Sequence, residues 1–225
     1  MSAESATEDV DPSAVPGGDT CSALRYLALG DSYTIGHDVP AVSRWPDQLV
    51  AQLRSDGIEI ASPRVIATSG WTTTQLTVAM DAAEPLGHWD FVTLLIGVND
   101  QYDGDAVALY RARFDALLQR AIALAGGRAR RVLVVSIPDW SVTPFAALHS
   151  HDAASIGADI DAYNAAARDV CLDMDVAFVD ITPHSRAHGA EPAMLVDDGL
   201  HPSAAMYAAW ALAVHPVART LLACA

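Results

Sequence analysis

Short apolar runs alternate with amphipathic stretches from Arg25 to the end of the chain, and this alternation restricts the fold more than any other feature. Each run is short and apolar enough to be a buried strand, which predicts strands at Tyr26–Leu29, Arg64–Ala67, Phe91–Ile96, Val132–Ile137 and Ala177–Ile181. The other stretches predict helices near Trp45–Arg54, Thr73–Asp81, Asp105–Ala125, Ala158–Cys171 and Ser203–Ala223. Strands that alternate with helices predict an α/β fold, in which helices cover both faces of a parallel sheet.

A proline lies inside the last predicted helix. Pro216 has no backbone N–H and clashes with the carbonyl four residues earlier, so we expect the helix to kink or end there. By contrast, the helix predicted at Asp105–Ala125 has one continuous apolar stripe. It is followed by Gly126-Gly127, which is typical of the end of a helix.

The N-terminal residues differ in composition from the rest of the chain. Residues 1–20 are rich in Ser, Pro, Gly and acidic residues, which predicts a flexible acidic arm, whereas residues 21–225 predict one domain. The arm has neither the positive region nor the apolar region of a secretory signal. No run of about 18 apolar residues occurs elsewhere, so we expect a cytoplasmic protein without a membrane span.

The charged residues exclude several mechanisms and partners. The formal net charge is -15, and all 13 basic residues are arginine. No arginine stripe suits a nucleic acid or an anionic membrane, so neither is expected as a partner. A chain without lysine cannot use a Walker-A lysine, a Schiff base or a Ser-Lys dyad. The cysteines, Cys21, Cys171 and Cys224, are far apart in the sequence, which indicates reduced thiols rather than a metal or redox motif.

Four short motifs stand where a predicted strand ends or where the last helix begins. They are Gly30-Asp31-Ser32, Thr68-Ser69-Gly70-Trp71, Gly97-Val98-Asn99-Asp100 and Asp198-Gly199-Leu200-His201-Pro202. Ligands of doubly wound sheets bind beyond the carboxyl ends of the strands, so we expect all four near one site. Each motif also has a purely structural interpretation. Ser32 and Asn99-Asp100 suit helix caps, Gly70 suits any tight turn, and His201-Pro202 suits a loop.

Taken in order, the four motifs resemble the SGNH subset of the GDSL-type hydrolases, and the resemblance covers nearly the whole chain after the arm. The marker residues match at Ser32, Gly70, Asn99, Asp198 and His201. The resemblance implies a three-layer α/β/α fold with a five-stranded parallel sheet in flavodoxin-like order. It also implies an oxyanion hole formed by the backbone N–H groups of Ser32 and Gly70 and the side-chain amide of Asn99. We expect neither a cofactor nor a metal.

These residue types suit the hydrolysis of an ester. Ser32 supplies an oxygen nucleophile, and His201 supplies a general base. Asp198 precedes His201 by three residues and is predicted to accept the Nδ1 proton, which leaves Nε2 to face Ser32. Asp197 is expected to face solvent, because successive side chains point apart. Gly70 is expected to let the backbone approach the substrate closely, since it has no Cβ.

Aromatic residues near the strand ends predict an apolar substrate pocket. The candidates are Trp71, Tyr102, Trp140 and Phe145, although core packing explains these residues equally well. In proteins of similar sequence, the segment from Ser136 to Phe145 belongs to the loops on the substrate side.

The remaining histidines are expected to have structural roles. His149 and His151 lack the usual spacing of metal ligands and are predicted to lie in a solvated loop. His184 and His188 are predicted to be exposed loop residues. His37 ranks well below His201 as the base, because the chain after Ser32 would have to fold back to bring it to the site.

The sequence therefore predicts a metal-independent serine hydrolase that cleaves a small-molecule carboxylic ester through an acyl-serine intermediate. Small or short-chain acyl esters are favoured, since the chain has no lid-like insertion, no basic patch for phosphate and no carbohydrate-binding appendage. Deacetylation of carbohydrates and cleavage of lysophospholipids or thioesters are alternatives within the family. A non-catalytic ligand-binding module and a flavodoxin-like nucleotide or flavin binder are alternatives from other classes.

Overall fold

Five parallel strands form the centre of the computed structural model, which describes residues 23–150 and 152–223. The strands are β1 (Tyr26–Gly30), β2 (Arg64–Ala67), β3 (Phe91–Leu95), β4 (Val132–Val135) and β5 (Ala177–Val179), in the order β2-β1-β3-β4-β5. Gly30, the last residue of β1, pairs with Ala67 of β2 and Leu95 of β3, which also end their strands. The carboxyl ends therefore meet at one edge of the sheet, and the predicted parallel sheet in flavodoxin-like order is confirmed.

Helices cover both faces of this sheet. The described helices are α1 (Ser32–Ile35), α2 (Trp45–Ser55), α3 (Thr73–Ala82), α4 (Val98–Tyr102), α5 (Val107–Leu124), α6 (Pro144–Leu148), α7 (Ala153–Asp173), α8 (Thr182–His188) and α9 (Ala204–Ala223). In one layer α2 packs against α9, and in the other α5 packs against α3 and α7. The predicted three-layer α/β/α arrangement is confirmed.

Apolar side chains fill the space between the layers. β1 and β3 are buried along their whole length, as expected for strands that are covered on both faces. The largest fully buried side chains include Trp45 of α2, Tyr110 of α5 and Trp210 of α9. Cys171 of α7 is a buried free thiol, and its burial raises the pKa to about 12.

Three strands end one or two residues earlier than predicted, because side chains take over the hydrogen bonds of the sheet. Beyond β4, the N–H of Ile137 donates to Asn164 Oδ1, and the Ile137 carbonyl accepts from Asn164 Nδ2. Beyond β5, the N–H of Ile181 donates to Ser136 Oγ. The backbone is satisfied without a neighbouring strand, so the prediction of strand structure at Ile96, Ile137 and Ile181 was wrong.

The predicted ends of two long helices also need correction. α7 begins at Ala153, five residues earlier than predicted, because the Asp152 carboxylate accepts from the N–H groups of Ala154 and Ser155 and caps the helix. α9 does not end at Pro216 and continues to Ala223. It buries side chains on both sides of the proline, and this packing holds the helix together across the missing hydrogen bond. The short helices α1, α4, α6 and α8 were not predicted, because segments of this length show no helical period.

Several predictions concern residues outside the described ranges. These are the acidic arm at residues 1–20, the thiols of Cys21 and Cys224, and the solvated position of His151. The single domain at residues 21–225 stays a prediction. Within the described ranges, no helix is long and apolar enough to cross a lipid bilayer.

Candidate active site

Ser32 lies two residues after the end of β1 and is the first residue of α1. The cap of this short helix is Asp31, whose Oδ1 accepts from the N–H of Tyr33 at 3.0 Å. Ser32 is therefore not the N-cap that its sequence context also suggested, and its hydroxyl is not used to start the helix. The residue is only 4% exposed, yet it lines a pocket at the carboxyl edge of the sheet.

Asp31 is buried beneath the serine. Burial raises the pKa of its carboxyl to about 8, against a smaller opposing effect of the hydrogen bond from Tyr33. One carboxyl oxygen, Oδ2, has no hydrogen-bond partner among the described residues. The carboxyl group of Asp31 therefore holds its proton up to about pH 8.

The loop before α9 holds an aspartate and a histidine in direct contact. Asp198 Oδ2 lies 2.5 Å from His201 Nδ1, and Asp198 Oδ1 accepts from the N–H groups of Leu200 and His201. Asp197 is exposed and forms no side-chain hydrogen bond or ion pair with any residue in the described ranges. The contact fixes His201 with Nδ1 toward the carboxylate and leaves Nε2 to the other side of the ring, as predicted from the spacing.

Burial and hydrogen bonding shift the pKa of both groups. Burial lowers the pKa of His201, and the nearby Asp198 only partly opposes this effect. Partial burial tends to raise the pKa of Asp198, but the hydrogen bonds from His201 and Leu200 outweigh it, and the pKa is lowered. At neutral pH the pair therefore consists of a carboxylate and a neutral imidazole, which is the state of a general base.

Asn99 of α4 and Gly70 of the loop after β2 line the same pocket. The Asn99 side chain donates from Nδ2 to the carbonyl of Trp71 at 2.9 Å, which ties α4 to the loop that carries Gly70. α4 is capped by Gly97 without a side-chain hydrogen bond, so Asn99 is not a helix cap. Gly70 has a φ of +86°, but a Cβ added there would meet no atom within 4 Å. The positive φ favours glycine at this position, and the close approach of this backbone to a substrate stays a prediction.

Asp100 has a structural role next to Asn99. Its buried carboxylate accepts from the N–H of Thr73 at 2.9 Å and from the Thr73 hydroxyl at 2.5 Å, at the first residue of α3. The carboxylate therefore fastens α4 to the start of α3 and holds Asn99 over the Gly70 loop.

The pocket has a volume of about 260 Å³ and an aromatic wall. Tyr102, Trp140 and Phe145 line it, as predicted. Trp140 is held by a hydrogen bond from Nε1 to Gln101 Oε1 at 2.9 Å. Trp71 is not among the residues that line this pocket and is half-buried against the core. Its position in the Gly70 loop contributes the backbone carbonyl that binds Asn99.

His37 lies beside His201, which the sequence did not suggest. The two ring centres are 4.3 Å apart, and His37 Nδ1 lies 2.8 Å from Ser69 Oγ. Gly36, with a φ of +75°, ends α1 in the left-handed conformation and turns the chain back toward the site. In the sequence, the signal for this reversal of the chain was Gly36 directly after α1. One ligating atom each of His37, Asp198 and His201 lie within 4.8 Å of one another, which is close enough to hold a cation.

The other histidines in the described ranges are not among the residues that line the pocket. His149 is exposed after α6, and its Nδ1 lies 2.9 Å from the carbonyl of Phe145. His184 and His188 lie on α8, so the prediction that they lie in a loop was wrong. His188 pairs with Glu191 at 2.9 Å. The Pro183 ring at the start of α8 is compatible with a helix, because proline is tolerated in the first turn.

Comparisons with solved structures show the same fold. Among solved structures, the chain is similar to TesA, with a TM-score of 0.70 and 19% identity over 88% of this chain and 99% of that one. It is also similar to a mutant of Axe2, an acetyl-xylooligosaccharide esterase from Geobacillus, with a TM-score of 0.66 and 20% identity over 87% and 94% of the two chains. Phospholipase A1 from Streptomyces albidoflavus gives a TM-score of 0.60 and 20% identity over 88% and 99%.

No curated protein sequence matches the chain. The model of the GDSL-like lipase/acylhydrolase family, in contrast, matches residues 28–209, which include the serine after β1 and the loop before α9. The protein therefore belongs to the GDSL-like lipase/acylhydrolase family.

Proposed function

We propose that the protein is a serine hydrolase of carboxylic esters, with Ser32 as nucleophile and His201, oriented by Asp198, as base. The observation that carries this proposal is a single pocket lined by Ser32, Gly70, Asn99 and His201. Behind it, Asp198 lies 2.5 Å from the far nitrogen of the histidine ring. A nucleophile, a base and donors for an oxyanion are the three requirements of acyl transfer to serine.

The reaction follows from these positions. Ser32 Oγ attacks the ester carbonyl carbon while His201 Nε2 takes the hydroxyl proton. The tetrahedral intermediate collapses, the alcohol leaves with the proton from Nε2, and the acyl group stays on Ser32 Oγ. A water molecule, deprotonated by His201 Nε2, then attacks the acyl-serine, and the carboxylic acid is released as Nε2 returns the proton to Ser32 Oγ. Asp198 keeps the imidazole in one tautomer throughout and stabilises its transient positive charge.

The oxyanion hole consists of the N–H groups of Ser32 and Gly70 and the amide of Asn99. An amide nitrogen carries two hydrogens, and the Trp71 carbonyl engages one of those on Asn99, so the second is available to the substrate. The hydrogen bond to Trp71 also holds the amide rigid, which makes the donor effective. Replacement of Asn99 by Ala should lower kcat by roughly 10²- to 10³-fold with little change in KM.

The substrates are small or short-chain acyl esters. The volume of about 260 Å³ and the ring of Trp140 limit the acyl group that the pocket accepts. Among the described residues, its lining contains neither arginine nor a carboxylate, which suits a neutral substrate. The similarity to an acetyl-xylooligosaccharide esterase supports acetyl esters of carbohydrates as a specific alternative, since an acetyl group fits the same pocket.

Covalent labelling tests the proposal directly. An organophosphonate probe should label Ser32 alone, and Ser32→Ala should abolish both labelling and hydrolysis of p-nitrophenyl acetate while circular dichroism stays unchanged. Labelling of another serine would reassign the nucleophile. Esters that bind without any turnover by the wild-type protein would show instead a non-catalytic binding module, and a bound chromophore after purification would favour the flavin-binding alternative.

A further inference from the structure

A second cavity, of about 920 Å³, lies at the opposite edge of the sheet from the Ser32 pocket. It is formed where the chain enters β4 and β5 and by residues near the C-terminal ends of α7 and α9. The lining residues are Arg128, Ala129, Arg130, Arg131, Cys171, Leu172, Asp175, Val176, Ala177, Thr220 and Leu221. The length of the parallel strands separates this cavity from the ester site, and the proposed hydrolysis assigns it no role.

Arg131 is the most buried arginine of the chain, and no residue in the described ranges pairs with its guanidinium. The residue is only 7% exposed, and its buried Nη1 has no hydrogen-bond partner among residues 23–150 and 152–223. Every other arginine has an ion pair, a hydrogen bond or an aromatic ring against its guanidinium. Within these ranges, Arg131 has none of the three. A buried charge without a partner is unfavourable, so an anion that reached this guanidinium would stabilise it.

The neighbouring side chains add positive charge. Arg128 Nη2 lies 3.7 Å from Asp90 Oδ1, and Arg130 Nε lies 3.9 Å from Asp175 Oδ2, so both ion pairs are loose. Three arginines and one carboxylate line the cavity, although the net charge of the whole chain is -15. Positive charge is therefore concentrated at this point of an otherwise acidic protein, which attracts anions.

We propose that this cavity binds an organic oxyanion, a phosphate or carboxylate group attached to an apolar body. The oxygens pair with Arg131, whose planar guanidinium binds such groups through two parallel hydrogen bonds. The apolar body lies against Leu172, Val176 and Leu221 on the other side of the cavity. The volume falls in the range of small-molecule sites. The expectation from the sequence that the chain has no basic patch for phosphate is thereby revised.

Phenylphosphate is the probe for this site. At fixed ionic strength, it should raise the Tm of the full chain in a saturable manner, because a ligand that binds only the folded state stabilises it. Benzyl alcohol, which has the ring without the charge, should have no effect. Inorganic phosphate should bind more weakly than phenylphosphate. Equal shifts with benzyl alcohol, or no saturable shift with phenylphosphate, would overturn the proposal.

Matched variants locate the binding. Arg131→Met should weaken phenylphosphate binding by roughly tenfold to hundredfold, as measured by calorimetry, because a charge-assisted hydrogen bond is lost. Arg54→Met removes an equal charge from α2, outside the cavity, and should leave the affinity unchanged. The Tm of Arg131→Met without ligand should equal or exceed that of the wild type, since an unpaired buried charge is removed. An unchanged affinity in Arg131→Met would refute the site. Arg131→Gln serves as a second variant, which keeps N–H donors without the charge and should also weaken binding.

Ester hydrolysis gives an independent control. Because the cavity lies at the other edge of the sheet, Arg131→Met should hydrolyse p-nitrophenyl acetate at the wild-type rate, and phenylphosphate should not compete with the ester. Competition that persists in Arg131→Met would place the anion in the Ser32 pocket and would overturn the assignment. Hydrolysis and anion binding are therefore measured independently, so that either proposal can be refuted without the other.

Discussion

At the residue scale, two adjacent aspartates illustrate how local geometry selects a role. Asp198 receives three hydrogen bonds, from His201 Nδ1 and from the N–H groups of Leu200 and His201. Asp197 points into solvent and has no such bonds within the described ranges. A three-residue separation brings a carboxylate back to the imidazole in a tight turn, whereas the preceding residue points away.

Asp198→Asn should lower kcat by up to about 10⁴-fold, by analogy with other Ser-His-Asp enzymes, because the amide favours the wrong tautomer of His201. Asp197→Asn should change kcat by less than about tenfold, as an exposed substitution away from the reacting groups. Steady-state kinetics at pH 8, with circular dichroism to confirm folding, compare the two. A larger loss for Asp197→Asn would reassign the orienting carboxylate.

The pH dependence of the reaction reports the state of His201. Its pKa is lowered below the usual 6.5, chiefly by burial, and the base must be neutral to accept the Ser32 proton. Activity should therefore be complete at pH 7 and fall only as the pH drops through a value below 6.5. The measurement is kcat/KM from pH 4.5 to 8, and an acid limb above 6.5 would contradict the burial of the ring.

His37 should move that acid limb. Its ring lies 4.3 Å from that of His201, and a positive charge on His37 lowers the pKa of its neighbour. His37→Gln removes this charge, so the acid limb should shift to higher pH, while Ser69 keeps a side chain that can hydrogen-bond. If the acid limb of His37→Gln lies at the same pH as that of the wild type, the two rings are not electrostatically coupled.

The His37→Gln variant should also be less sensitive to inhibition by Zn²⁺, since His37, Asp198 and His201 are close enough to share a cation.

At the element scale, the positions of the strands and long helices could be predicted from the sequence. The ends of some elements could not, because side chains distant in sequence determine them. β2 has the predicted bounds, because a short apolar run between polar residues leaves little choice. The early end of β4 depends on Asn164, which is distant in sequence and replaces the sheet hydrogen bonds of Ile137. The marker residues of the site could be predicted, since each follows a strand or precedes a helix. The position of Trp71 could not, because its backbone rather than its ring faces Asn99.

Pro216 tests how far the packing of α9 compensates for the low helix propensity of proline. Proline inside a helix costs about 3 kcal/mol relative to alanine, part of which is offset by the stiffer unfolded chain. Pro216→Ala restores a donor to the carbonyl of Leu212, so we expect about 1–2 kcal/mol of added stability and a higher Tm. Pro46→Ala is the control, because Pro46 lies in the first turn of α2, where proline is tolerated. It should give no gain, and a lower Tm for Pro216→Ala would show that α9 needs the proline.

At the scale of the whole molecule, the two edges of the sheet present opposite chemistry. The carboxyl edge carries the neutral pocket of about 260 Å³, and the amino edge carries the arginine-lined cavity of about 920 Å³. The chain has 28 acidic residues against 13 arginines, and its field disfavours anionic esters such as acyl-CoA at a pocket that contains no arginine. Neutral esters are therefore the expected substrates.

The size of the ester pocket should appear as a limit on acyl-chain length. We expect kcat/KM for p-nitrophenyl esters to be highest for acyl groups of about two to six carbons, because a small pocket walled by aromatic side chains leaves longer chains exposed to water. Phe145 lines the pocket and is half-buried, so Phe145→Ala should shift the optimum to longer chains. Trp71 is a half-buried aromatic residue outside the lining, and Trp71→Ala should leave the optimum in place even if it lowers stability. The chain-length profile of each variant, normalised to its own acetate rate, separates pocket shape from general damage. A wild-type kcat/KM that keeps rising toward long acyl chains would refute this limit, and an equal shift in both variants would remove Phe145 from the acyl site.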